Sequence, residues 1–234
     1  MSWYIRSKPV YRKESAFLPI FLQEEATLIL PKRRHELAIL GLGRTVPTDP
    51  SGLLGEIVVV KSFGELIEIG KKGLINGKIL VFNEPWLGTY SKTVDYRYGA
   101  SQASAWGAKA VLVRSITPFS VYSPHTGATS YQENGHPKIP IAAITVEDAQ
   151  LMGRLYKRGV KMQVFLKITS NWQGTVNSTN LMFELTGSLY PNEIVLISGH
   201  FDSWDVGTGA MDDGAGCMTM WQALKGIKDT GSGG

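Results

Sequence analysis

A single cysteine, Cys217, among 234 residues leaves no partner for an internal disulfide and no thiolate set for a Cys-based zinc finger. No apolar run approaches the roughly 18 residues that a membrane-spanning helix needs. Charge of one sign is scarce as well: 24 Lys and Arg against 20 Asp and Glu leave a net charge of +4. The one basic run, Lys32-Arg33-Arg34, reads as a solvated face, and His35 beside it as solvated too. The Trp and Tyr residues are scattered, so a stacking platform is missing and no nucleic-acid partner is expected. The apolar run 16–22 holds a proline and meets Gln23-Glu24-Glu25 where a small-residue cleavage site belongs, so it does not read as a signal peptide. What remains is 43% hydrophobic and 19% charged, ample for a buried core and unlike a disordered tail.

Residues 1–50 read as a helix over 24–30, stopped by Pro31, and then a short strand, Leu37-Ala38-Ile39-Leu40. The turn-rich stretch from Thr45 to Gly52 marks a first boundary. From 51 to 170 the chain alternates strands and helices. Strands are expected around 56–60, 78–82, 109–114, 139–144 and 160–169, with helices near 100–105 and from Val146 towards Gly159. Thr145 and Asp148 have the spacing of a capping box opening that second helix. Phe165 interrupts an otherwise clean alternation in the last strand. A second boundary falls in 170–180, which holds the glycosylation triplet Asn177-Ser178-Thr179. Beyond it Ile194-Val195-Leu196-Ile197 has no polar alternation and reads as a strand buried on both faces, as in the centre of a parallel sheet. A helix is expected from Gly216.

The chemistry-bearing string follows that apolar run: Ser198-Gly199-His200-Phe201-Asp202-Ser203-Trp204-Asp205, then Gly207-Thr208-Gly209-Ala210-Met211-Asp212-Asp213-Gly214-Ala215-Gly216. Ligands of open α/β sheets bind at the carboxyl ends of strands. His200 offers an imidazole nitrogen to a metal, and Asp202 is close enough in sequence to orient the ring. Asp212 and Asp213 are adjacent carboxylates whose repulsion a divalent ion would relieve, and one carboxylate can bridge two ions. The glycines let backbone approach closely. Alone, His-x-Asp is an ordinary polar pair and Asp-Asp-Gly an ordinary turn; the whole string in this order is more specific. Other candidates carry less. Gly41-Leu42-Gly43 lacks the third glycine and the following helix of a dinucleotide site. His125 and His136 sit in turn-rich loops and read as surface residues, and Cys217 as a small packing residue.

At these residues the sequence resembles the cocatalytic dinuclear-zinc exopeptidases, and the likeness extends through Leu37–Gly43, Ser120–Gly127, Pro137–Asp148 and Ser198–Gly214. The resemblance implies an α/β fold in which a protease-associated domain, mixed β with helices, is inserted into the zinc-exopeptidase domain. It places 1–50 with the peptidase domain, 51–170 as the insert, and 171–234 as the start of the zinc domain. It implies two Zn²⁺ ions, with His200 binding one, Asp212 bridging both, and Asp202 supporting His200 as the residue with a catalytic role. It further implies that the Asp212–Asp213 peptide is often cis. Small peptides are the implied substrates, losing terminal residues to water activated at zinc. A homodimer and an extracellular, secretory or lysosomal location are implied as well.

The family's general-base Glu and its remaining ligands lie downstream of the residue matching Gly234. This polypeptide is therefore expected to hold an incomplete catalytic domain and not to hydrolyse peptides. A second reading stays open: a non-catalytic module in which the middle region binds peptides or a partner on a peptidase-remnant scaffold.

Overall fold

The computed structural model describes residues 24–133, 135–170, 180–204 and 206–231. The apolar run 16–22, the triplet Asn177-Ser178-Thr179, Asp205 and the tail beyond 231 lie outside the described residues. The chain divides into two compact units, Ser15–Thr175 and a second made of Met1–Glu14 with Val176–Gly234.

The larger unit is a mixed eight-stranded sheet with helices. Its strands are β1 (Glu24–Leu30), β2 (Arg33–Leu37), β3 (Ile39–Gly41), β4 (Leu53–Val60), β5 (Ile79–Phe82), β6 (Ala110–Arg114), β7 (Ile141–Ile144) and β8 (Gln163–Ile168), in the order β2-β1-β8-β4-β5-β6-β7-β3. Strands β4 to β7 run parallel; the pairs β2·β1, β1·β8, β8·β4 and β7·β3 are antiparallel. Strand β4 belongs to both halves: Leu53–Glu56 pair with β8, and Ile57–Val60 with β5. Register sets Glu24 opposite Ile168 and Leu28 opposite Val164.

The helix expected over 24–30 is a strand instead. Ala26 and Leu28 point into the core while Thr27 and Ile29 point out, a period of two that outweighs the helix-forming Glu24 and Glu25. Pro31 and Lys32 form the two-residue turn into β2, with Leu30 opposite Arg33. Residues 24–41 therefore form three of the eight strands in this unit.

Two apolar layers hold the sheet. One side gathers Leu28, Leu37, Ile57, Val81, Leu112, Ile144, Val164 and Leu166 with Ala149 and Met152 of α4 (Val146–Lys157). The other gathers Val58, Val60, Leu80, Phe82, Val111 and Val113 with Leu66 of α1 (Phe63–Lys71) and Ala100 and Ala103 of α3 (Gly99–Ser104). A short helix α2 (Tyr90–Thr93) and a 3₁₀ turn (Val94–Tyr98) lead into α3. The parallel strands are thus covered on both faces and read as continuous apolar runs. Ser62 caps α1 by accepting from the Glu65 N–H, and Thr145 caps α4 by accepting from the Asp148 N–H at 3.0 Å.

His35, expected in solvent, lies 2.7 Å through Nε2 from Oδ1 of Asp148. Asp148 is 2% exposed, so its carboxylate needs a donor, and an imidazole on β2 supplies it. Buried Arg97 has no acidic partner among the described residues. It donates to the Tyr90 hydroxyl (2.8 Å) and the Thr126 carbonyl (2.5 Å) and lies against the Tyr90 ring. His125, also expected on the surface, is half-buried with an unpartnered Nδ1; burial, helped by the charge of Arg97, lowers its pKa.

In the second unit the described residues contain no strand. Ile194–Ile197, expected as a central buried strand, is exposed, with Val195 91% accessible. A strand is stable only when its N–H and C=O groups find neighbours, and none of the described residues of this unit provides one. The helix α5 (Ala215–Thr230) forms as expected and ends at Gly231 in a left-handed conformation.

Candidate metal centre

The candidate residues sit between the apolar segment and the first turn of α5. Two carboxylates bracket the His200 ring. Its Nδ1 lies 3.0 Å from Oδ1 of Asp202 and 3.0 Å from the Asp202 carbonyl; its Nε2 lies 3.1 Å from Oδ1 of Asp212. All three side chains are open to solvent. The hydrogen bond to the Asp202 backbone, together with the charges of Asp202, Asp212 and Asp213, raises the imidazole pKa above its ordinary value. The ring therefore holds a proton more tightly than a free imidazole, and a metal at Nε2 competes with that proton.

The turn Ala210–Gly214 positions the acids. Asp212 and Asp213 have non-helical backbone angles there, and the peptide between them is cis. The loop leading into the turn closes through hydrogen bonds from the Gly207 N–H to the Trp204 carbonyl and from the Gly214 N–H to the Gly209 carbonyl, both 2.9 Å. The Asp213 carboxylate lies over Gly199 and Gly216, either of which would clash with it if it bore a Cβ. It accepts from the His200 N–H at 3.3 Å and stands at the entrance of α5, where the helix dipole favours an anion. Cys217, on the first turn of α5, donates its thiol to the His200 carbonyl at 3.3 Å. Asp213 and Cys217 thus fix the backbone of His200, roles that neither the Asp-Asp doublet nor a lone cysteine reveals in sequence.

All three sequence-level candidates, His200, Asp202 and Asp212, come together. His136 is exposed and belongs to the other unit. An imidazole nitrogen and a carboxylate oxygen are suitable donors for a zinc ion. Among the described residues, however, no group of three or more His, Cys, Asp or Glu side chains converges as a metal site.

Residues 180–233, the stretch containing this turn and α5, match the model of Peptidase family M28. Over 209 residues, 89% of its length, the chain is 49% identical to carboxypeptidase Q of Homo sapiens. It is 50% identical to the Bos taurus protein and 49% identical to the Xenopus laevis protein over the same length. The chain spans 43–44% of the length of these three relatives. The crystal structure of a peptidase M28 precursor from Shewanella amazonensis matches at 33% identity with a TM-score of 0.76, covering 85% of this chain and 46% of that one. A zinc aminopeptidase from Bacillus subtilis shares the fold, at 24% identity and a TM-score of 0.54, over 85% of this chain and 43% of its own. The resemblance is thus to peptidases of family M28, and most specifically to carboxypeptidase Q.

Proposed function

We propose that this chain is part of a zinc-dependent metallo-exopeptidase of the carboxypeptidase or dipeptidase type, acting on small peptides. The observation that carries the proposal is the His200 ring held between Asp202 and Asp212 at the head of α5, within the segment that matches Peptidase family M28. In this reading His200 Nε2 and Asp212 Oδ1 are metal ligands. Asp202, on the opposite ring nitrogen, fixes the tautomer and aims Nε2 at the ion. Asp213 and the thiol of Cys217 hold the His200 backbone in place. Zinc, when bound, supplies Lewis acidity and an activated water. Two such ions, a peptide carboxyl- or amino-terminal substrate end, and a homodimer belong to the same proposal, as does passage through the secretory pathway. Residues 51–170, which lie within the compact unit Ser15–Thr175, are read as the protease-associated domain, with β1, β2 and β3 joining its sheet from the preceding segment.

With one imidazole and one bridging acid, a zinc ion falls short of the three protein ligands of a catalytic site. The 234-residue polypeptide itself is therefore expected to bind zinc weakly and to turn over no dipeptide. Calorimetric zinc titration of the wild type and His200→Ala tests this: the wild type should show weak binding that the variant loses. Dipeptide hydrolysis should be equal in the two. Equal zinc binding in both would remove His200 from the metal site, and robust wild-type turnover would overturn the expectation of inactivity.

A further inference from the structure

We propose that the bare outer face of strands β2, β1, β8 and β4 is a docking surface for an extended peptide segment carrying a large apolar residue two positions from an acidic one. This surface belongs to the larger unit, and the proposal does not depend on the peptidase reading. Over the parallel half of the sheet, this face is covered by α1 and α3. Over the antiparallel half, no helix among the described residues of the same unit packs on it. Positions facing water in an antiparallel sheet are ordinarily polar, yet Phe165, Leu54 and Ile29 point outward here. With Thr27 and Arg34 they line a recess of about 350 Å³.

Register fixes the layout. Glu36, Thr27, Phe165 and Leu54 form one row across the four strands; Arg34, Ile29, Gln163 and Glu56 form the next. The apolar floor lies in the first row and extends to Ile29 in the second. The aromatic ring of Phe165 is set by Gly52, whose φ is +83°. A Cβ at Gly52 would come within 2.5 Å of that ring.

Charge identifies the occupant. At one end of the second row Glu56 is neutralised by Lys78 at 3.5 Å. At the other end Arg34 is exposed and makes no ion pair among the described residues, with Lys32 and Arg33 beside it at the hairpin tip. The recess thus offers an apolar floor and one unneutralised guanidinium about two residues further along the strand direction. Successive side chains of an extended peptide alternate, so positions i and i+2 share a face and span the same two rows. Glu36, in the first row, disfavours the reverse arrangement, with the acid over the apolar floor.

The test uses the full chain and three fluorescein-labelled pentapeptides: Thr-Phe-Thr-Asp-Thr, the same peptide with Lys for Asp, and the same with Ala for Phe. Fluorescence anisotropy should show saturable binding of the first, and weaker binding of the other two. Arg34→Glu should weaken the acidic peptide about five- to tenfold and favour the Lys peptide. Leu54→Ser, at an exposed position, should weaken the acidic peptide about fivefold, with both variants keeping the wild-type melting curve. Absence of saturation at millimolar peptide, or equal binding of the acidic and Lys peptides, overturns the proposal. So does sedimentation showing that a second copy of the chain occupies this face, with self-association abolished by Leu54→Ser.

Discussion

Glu84 lies two residues beyond the end of β5, and one of its carboxylate oxygens is buried without a partner. Burial raises its pKa above the ordinary glutamate value, outweighing the Tyr96 hydroxyl and the positive charge of Arg114, while Glu65 adds to the rise. The folded state therefore keeps this proton to a higher pH than the unfolded chain does. Between the two titrations the unfolded state binds fewer protons, so stability falls as pH rises through that window. Glu84→Gln removes the charge. It should leave the melting temperature nearly unchanged at pH 4 and raise it at pH 7; thermal melts at both values check this, and a lower melting temperature at pH 7 would contradict it. At Asp148 the imidazole of His35 satisfies one carboxylate oxygen, and the other has no hydrogen bond.

At the scale of elements, the chain was most legible where periodicity and capping agree. The Val58–Val60 and Val111–Val113 runs, Thr145 at the start of α4, and Gly216 near the start of α5 all stand as read. The sequence string also brought His200, Asp202 and Asp212 to one place, because only thirteen residues, two of them glycines, run from His200 to Asp212. Sequence reading failed where long-range pairing decides. Glu24–Leu30 looks helical by propensity, yet its conformation is set by β8, over 130 residues away, and by β2. His35 beside two arginines gives no sign of an aspartate 113 residues later. Ile194–Ile197 reads correctly as apolar and wrongly as paired, since apolarity states a need for neighbours without supplying them.

These pairings change where the larger unit should be cut. The turns at 45–52 recommend starting at Ser51, which would discard β1, β2 and β3 and expose the edges of β8 and β7. It would also remove Leu28 and Leu37, each worth about 1.5–3 kcal/mol when fully buried. A fragment of residues 24–170 should melt cooperatively, whereas 51–170 should lack a cooperative transition. Circular dichroism on heating distinguishes them, and equal transitions would show the first three strands to be dispensable.

For the molecule as a whole, the exposed side chains of Ile194, Val195 and Leu196 set its colloidal behaviour. Three adjacent aliphatic residues at 80–91% exposure, unpaired and without charge, favour strand-to-strand association between copies. Light scattering should show concentration-dependent oligomers of the 234-residue chain, and Val195→Lys should shift them towards monomer without altering the melting of the larger unit. An unchanged size distribution would place the association elsewhere. A further consequence follows from β1 lying alongside β8 with Glu24 opposite Ile168. The described backbone therefore enters and leaves this sheet at neighbouring points, a layout that would suit the proposed insertion of the module into a host domain. Growth or loss of such a module in evolution would then cost the host little more than closing a short loop.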